Sequence, residues 1–301
     1  MATFYTHISE NKRSSCVIVA CFIAVIAALG YFLDAYYGEG LFYTGVALIV
    51  AGIMSFISYY NSDKIVLTLS GAKKVDPEQG RDLHNLVENM SIASGIPKPQ
   101  VYVIEDTSMN AFATGRDPQH GVICFTTGIL QRLEKRELEG VIAHEMSHIG
   151  NYDIRLMSLV SVLVGSIALL SDWFTRGIFY GGRRSRKSSS GFNNPLIFIV
   201  GIALLILSPI IAQLIKLALG RRREFLADAT AVQITRYPKG LADALRKLGS
   251  DSEILEAANG ATAHLYIVSP LMANGKSKGW LASLFSTHPP LEERIARLEE
   301  M

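Results

Sequence analysis

The chain has 301 residues, of which 49% are hydrophobic and 19% charged, with a formal net charge of +2. That balance excludes a disordered or fibrous chain and gives no reason to expect a nucleic-acid partner. Three cysteines cannot build a disulfide framework, and two of them, Cys16 and Cys21, stand inside an apolar run.

The apolar residues are concentrated, starting at the N-terminus. Ser14–Leu33 and Gly40–Ser62 carry no charge, and each is long enough for the roughly 20 residues that cross a bilayer as a helix. Tyr31, Tyr36, Tyr37, Tyr43, Tyr59 and Tyr60 cluster at their ends, as an interfacial aromatic belt does. A cleaved signal peptide is the alternative for the first run, since Lys12 and Arg13 precede it. Signal h-regions are shorter, about 7–15 residues, and here a second span follows at once. The loop between the spans holds Asp34 and Glu39 and no base, so it is expected outside, with the basic region 64–155 in the cytoplasm.

Beyond the spans, Gly80–Ser94 reads as a helix with Leu83, Leu86, Val87 and Met90 on one face. Val101–Ile104, Asn110–Gly115 and Val122–Thr126 read as short strands, the last with Cys124 as a small buried hydrophobe. Glu134–Gly150 reads as a helix with Leu138, Val141, Ile142 and Ile149 inward, capped by Gly150-Asn151.

Inside that helix stands His144-Glu145-Met146-Ser147-His148. Residues i and i+4 share a helix face, so both imidazoles can bind one metal from the same side. Glu145 is one residue round, so it faces a water at the metal rather than the metal. Two imidazoles and a carboxylate suit one Zn2+ with a fourth position left open. Its Lewis acidity lowers the pKa of water towards about 7, within reach of a carboxylate base.

Two more apolar runs follow, Leu156–Ser171 and Pro195–Ile215, separated by the basic, Ser/Gly-rich stretch 181–191. Paired, they read as a helical hairpin. Arg183, Arg184, Arg186 and Lys187 would then lie outside, against the usual rule, so the hairpin either overrides that rule or does not fully cross. A helix is expected to begin at Arg221. Glu224 and Asp228 lie one turn apart on it, the first suited to complete the metal triad, the second to accept from the free N–H of a ligand histidine. His84, His120 and His264 have no such partners and read as structural or surface residues. Because His148 and Glu224 flank both apolar runs, meeting at one metal requires two crossings or none.

These residues resemble the HtpX membrane metallopeptidases, relatives of the zinc-dependent CaaX prenyl proteases. The resemblance rests on Asn11-Lys12-Arg13, Asn110-Ala111-Phe112-Ala113-Thr114-Gly115, His144–His148, Glu224-Phe225-Leu226-Ala227-Asp228-Ala229, and Thr287-His288-Pro289-Pro290 followed by Glu293-Arg294. It implies an α+β chain with four hydrophobic helices and a zincin-like catalytic domain split by the second hairpin. The expected segments are 1–62 (N-terminal membrane helices), 63–155 and 221–301 (catalytic domain) and 156–220 (hairpin). It further implies a multi-pass enzyme of the bacterial cytoplasmic (inner) membrane, its catalytic domain facing the cytoplasm. Its task would be cutting misfolded or damaged membrane proteins in quality control and stress response, with protein substrates and the lipid bilayer as partners.

In such enzymes His144, His148 and Glu224 hold zinc and Glu145 is the general base. Alone, Asn110–Gly115 reads as ordinary sheet; the resemblance implies an edge strand on which Asn110, Ala111, Phe112 and Ala113 bind an extended substrate. Alone, His288 reads as a helix-entry residue; the resemblance makes it a candidate oxyanion or substrate contact. Two other readings compete. An intramembrane metalloprotease places its motif in an apolar helix with a Leu-Asp-Gly ligand, whereas Glu134, Lys135, Arg136, Glu137 and Glu139 precede this one. A non-hydrolytic membrane scaffold or chaperone predicts a broken metal set, and this set is intact. No carboxylate or histidine lies inside the four runs, which disfavours an ion transporter.

Overall fold

The computed structural model describes residues 4–38, 40–163, 166, 220–251, 253–257, 262–268 and 289–301. The chain opens with two long helices, α1 (Phe4–Tyr37) and α2 (Phe42–Leu69), containing candidate membrane spans at Ile8–Ala28 and Phe42–Leu69. α2 turns the soluble pattern inside out: Ala51, Ser55, Ser58 and Ser62 are buried while Ile49, Ile53 and Phe56 are exposed. Such a stripe is at home in lipid, where small residues line helix contacts. The two helices form a hairpin joined at the Asp34 carboxylate, which accepts from Tyr43 N–H at 2.8 Å and Thr44 N–H at 2.9 Å. Those donors are the orphan N–H groups that begin α2, so the negative charge also meets the positive end of the helix dipole. At Gly30 a Cβ would lie 2.8 Å from that of Ala47, so only glycine lets the helices close there.

α2 does not end where its apolar run ends. It kinks at Asn61 (φ −128°) and continues past Asp63 and Lys64, burying Val66 and Leu67. The expected boundary between 62 and 63 therefore falls inside one helix, and the spans grow directly into the next layer.

That layer is a four-stranded sheet of order β1-β2-β4-β3, from β1 (Lys73–Lys74), β2 (Gln100–Ile104), β3 (Ala111–Thr114) and β4 (Val122–Thr126). β2 and β4 run parallel, with Val101 opposite Ile123; β3 pairs antiparallel to β4, with Phe112 opposite Cys124. Both β3 and β4 are buried throughout because both faces are covered. With side chains alternating between faces, Ala111, Ala113, Ile123 and Phe125 join one core with the helices behind the sheet. Phe112, Val122 and Cys124 join another with Ile18 and Phe22 of α1 and Ala51 and Val66 of α2. Burial pushes the Cys124 thiol far up, which keeps it inert.

Behind the sheet lie α3 (Arg81–Ser94), α4 (Thr127–Arg132) and α5 (Lys135–Gly150), followed by α6, described over residues 153–163. Beyond the undescribed stretch come α7 (Arg221–Thr235), α8 (Pro238–Ser250) and α9 (Leu291–Glu299). α5 starts at a capping box between Glu134 and Glu137. It ends differently from expectation: Asn151 is right-handed (φ −81°), and the left-handed residue that turns the chain is Tyr152 (φ 62°). α8 was not anticipated. It packs so closely on α5 that a Cβ at Gly140 would lie 2.8 Å from the Leu241 backbone nitrogen. The end of the third apolar run (164–165 and 167–171), the linker and the fourth run lie outside the described residues, as does His288.

Candidate metal centre

α5 is the central helix, and every residue from Gly140 to Gly150 is buried. Val141, Ile142, Met146 and Ile149 pack into the core, which leaves His144, Glu145 and His148 on the remaining face. α7 crosses that face and buries Glu224, Ala227, Asp228 and Ala231, spaced as one helical stripe. The two alanines let the helices approach, and the two carboxylates arrive at the imidazoles.

His144 Nε2 lies 3.2 Å from His148 Nε2, and each is 3.7 Å from a Glu224 carboxylate oxygen. The opposite ring nitrogens are engaged by other carboxylates: His144 Nδ1 with Asp228 Oδ1 and His148 Nδ1 with Asp153 Oδ2, both at 3.0 Å. A carboxylate at Nδ1 holds a proton there, so each Nε2 is turned to the shared space, where a proton or a metal cation can bridge the pair. Zinc–nitrogen bonds of about 2.0–2.1 Å in tetrahedral geometry put two nitrogens about 3.3 Å apart, close to the spacing here. Charge agrees: four carboxylates (Glu145, Asp153, Glu224, Asp228) against Arg223 and Arg294 leave a formal −2 around neutral imidazoles. The donor set fits a divalent metal.

The electrostatics point the same way. Burial opposes a charge on His148, but Asp153, Glu224 and Glu145 outweigh it and lift its pKa to about 9. A field that attracts a proton so strongly attracts a cation too. Burial pushes His144 down, with Arg294 and His148 adding and Asp228 opposing. Burial raises the Glu145 carboxyl to about 7, Glu224 adding to the effect and His148 and Arg294 opposing it. Glu145 also accepts from the Ala113 N–H, so the sheet edge holds the third member of the motif in place.

β3 is the edge strand, as expected, but part of its outer edge is taken. The Ala111 carbonyl accepts from Ile267 N–H at 2.9 Å, and the Asn110 amide donates to Val268 O at 2.9 Å. The Asn110 side chain thus braces the chain's own segment 266–268, and Phe112 turns away to stack edge-on against Tyr266. Ala113, next to Glu145, presents its backbone to the metal side. Of the other histidines, His84 bonds Val75 O, His120 pairs with Asp117, and His264 is buried beside Ser161.

Three residues that complete the site are given no role by the sequence reading, although Asn11 and Arg294 stand in the quoted motifs. Asp153 stands five residues beyond His148 in what reads as an ordinary charged flank. Asn11 reaches it from α1. Arg294 is fully buried, its Nε and Nη2 gripping both Asp228 oxygens at 2.9 and 2.7 Å, with Nη1 3.3 Å from Glu224. Its own pattern could have revealed it: Leu291, Arg294, Ile295 and Leu298 form one helical stripe, and an arginine on an apolar stripe needs a buried anion.

Asp228 consequently serves two masters, His144 Nδ1 and Arg294. Asp228→Asn should keep the shape yet lose the charge that fixes the imidazole tautomer. Metal affinity, measured by chelator competition, should drop about 10–100-fold; an unchanged affinity would mean that Arg294 alone sets the ring.

Comparison with known proteins follows this geometry. Residues 77–301 match peptidase family M48. The chain is 44% identical over 299 residues to the protease HtpX homolog of Dictyoglomus thermophilum, covering 99% of this chain and 95% of that one. It is 44% identical over 302 residues to the protease HtpX homolog of Thermoanaerobacter pseudethanolicus, covering 99% and 98%. The crystal structure of S. mikatae Ste24p aligns with a TM-score of 0.48 and 20% identity, over 97% of this chain and 66% of that one.

Proposed function

The chain belongs to peptidase family M48, as a membrane metalloprotease of the HtpX kind, and from that premise we propose that it is a zinc endopeptidase cutting extended segments of misfolded or damaged membrane proteins at the cytoplasmic membrane face. The observation that carries this reading is the paired imidazoles with facing Nε2 atoms and Glu224 beside them. His144, His148 and Glu224 would hold zinc, whose Lewis acidity acidifies water and polarises a carbonyl.

The chain's own residues do the rest. Glu145, raised towards neutrality by burial, takes the proton of the attacking water and returns it to the leaving amine. An extended substrate lies along the remaining edge of β3, main chain to main chain at Ala113, with Asn110, Ala111 and Phe112 fixing the strand through segment 266–268. Asp228 keeps the His144 ring oriented. His288, outside the described residues, is proposed as a contact to the tetrahedral oxyanion or to the substrate.

The second membrane hairpin is proposed over residues 156–220, splitting a catalytic domain made of 63–155 and 221–301. It is compatible with the meeting of His148 and Glu224 across both apolar runs, which two crossings or none allow. The basic flank at Lys12 and Arg13 supports a cytoplasmic catalytic face.

The test is reconstitution in proteoliposomes with zinc, offering an unfolded membrane protein beside the same protein folded. Cleavage at many bonds of the unfolded form, with the folded form spared, is the expected result. Cutting of one bond in one protein would contradict a quality-control role.

A further inference from the structure

α1 reaches the metal centre. Asn11 is 3% exposed, and its amide donates to the Asn151 carbonyl at 2.9 Å and to Asp153 Oδ1 at 2.7 Å. Asp153 Oδ2 in turn accepts from His148 Nδ1 at 3.0 Å. Between these two anchor points stands Tyr152, at a φ of 62° that side-chain-bearing residues rarely adopt. The Lys12 ammonium lies 4.4 Å from the centre of its ring and the Arg155 guanidinium 4.9 Å. The turn that ends the HExxH helix is therefore gripped at all three residues, 151, 152 and 153, by Asn11 and Lys12 of α1. A strained turn persists only where its surroundings over-determine it, and such turns gather at functional sites.

We propose that Asn11 is a positioning residue of the metal centre, acting through Asp153 to fix the His148 ring, so that the first membrane helix is a structural part of the site. The carboxylate has two oxygens and one useful orientation. With Oδ1 held by Asn11 and lying 3.5 Å from Arg223 Nε, Oδ2 is left facing the imidazole. Without Asn11 the carboxylate is free to turn, and the ring loses the partner that keeps its Nε2 aimed at the metal. The arrangement ties the hold on the metal to the seating of α1 against the domain, a coupling of membrane attachment to catalytic competence. The proposal rests on the metallopeptidase reading, and its test therefore reads the metal directly.

The experiment uses the full-length protein in detergent. Two properties are measured: the rate at which a chromogenic chelator strips zinc, and the visible spectrum of the cobalt(II)-substituted protein. Asn11→Leu, of similar volume but without a donor, should release zinc about tenfold faster and shift the cobalt bands. In an Asp153→Asn background the same substitution should add nothing, because the path runs through Asp153. Ser15→Ala, which removes a hydroxyl bonded to the Asn11 carbonyl but leaves the amide alone, should behave as the parent protein. If Asn11→Leu does not fold, Asn11→Ala, smaller and also without a donor, gives the same reading. Parental zinc release and cobalt spectrum, or effects that add to those of Asp153→Asn, would overturn the proposal. Failure of the parent protein to take up zinc would instead overturn the metallopeptidase reading beneath it.

Discussion

Glu145→Gln should cut the rate of hydrolysis of an unfolded substrate such as casein by a factor on the order of 10²–10⁴ while leaving one zinc per chain in place. Glutamine keeps the size of the side chain and still offers an oxygen to the Ala113 N–H that positions Glu145. What it cannot do is take a proton. The substitution thus separates proton transfer from metal binding and from the edge strand, which a change to alanine would blur. In the metal-free site burial lifts the carboxyl to about 7, towards the range in which a base works best at neutral pH. Equal cleavage by both proteins would remove Glu145 from the mechanism.

Arg294→Met should be the most destabilising single change at the site, costing about 3–5 kcal/mol because it strands buried carboxylates without their counter-charge. The guanidinium is completely buried and holds Asp228 with two nitrogens at 2.9 and 2.7 Å, with Glu224 3.3 Å away. Methionine fills much of the same volume, so the loss is electrostatic rather than a cavity. Asp228 and Glu224 would then repel each other, and the cheapest relief is to take up a proton, which removes the partner of His144 Nδ1. Denaturant unfolding and zinc content should therefore fall together. Arg294→Lys should recover little, since an ammonium cannot reproduce the two-pronged grip. A loss of less than about 1 kcal/mol would mean that solvent reaches the pair after all, as at exposed ion pairs.

Much of the architecture is legible in local patterns. Apolar length marks α1 and α2, and a period of 3.6 marks α3 and α5 with their inward faces. Short apolar runs rich in aromatic and β-branched residues mark β3 and β4 to within a residue of their ends. The short α4 has too brief a pattern to read, whereas α8 carries a local stripe of Leu241, Ala244, Leu245 and Leu248 behind Pro238 that a 3.6-residue period could have revealed. The C-terminal cap of α5 was assigned to Gly150-Asn151 on composition, yet the left-handed position falls to Tyr152. The grip of Asn11 and Lys12 on that turn explains why a bulky residue can occupy it.

The metal ligands divide along the same line. His144 and His148 are four residues apart on one helix, and no tertiary information is needed to know that they share a face. Glu224 and Asp228 repeat that spacing on a second helix, so local rules also place them together. Sequence assigns Glu224 to the metal and Asp228 to a ring N–H; which histidine Asp228 meets is fixed where α7 crosses α5, at His144 Nδ1. The sequence by itself determined the hydrophobic spans, the strands and the chemistry of the donor set, because each follows from residue type and short-range period. Only the tertiary structure decided that Asn11 meets Asp153 across 142 residues and Arg294 meets His144 across 150. Those partners are chosen by packing, and packing is a property of distant segments brought together, for which no local period exists. The Asn110 amide teaches the same lesson: its residue type suits a substrate backbone, but the fold places Val268 O within its reach first.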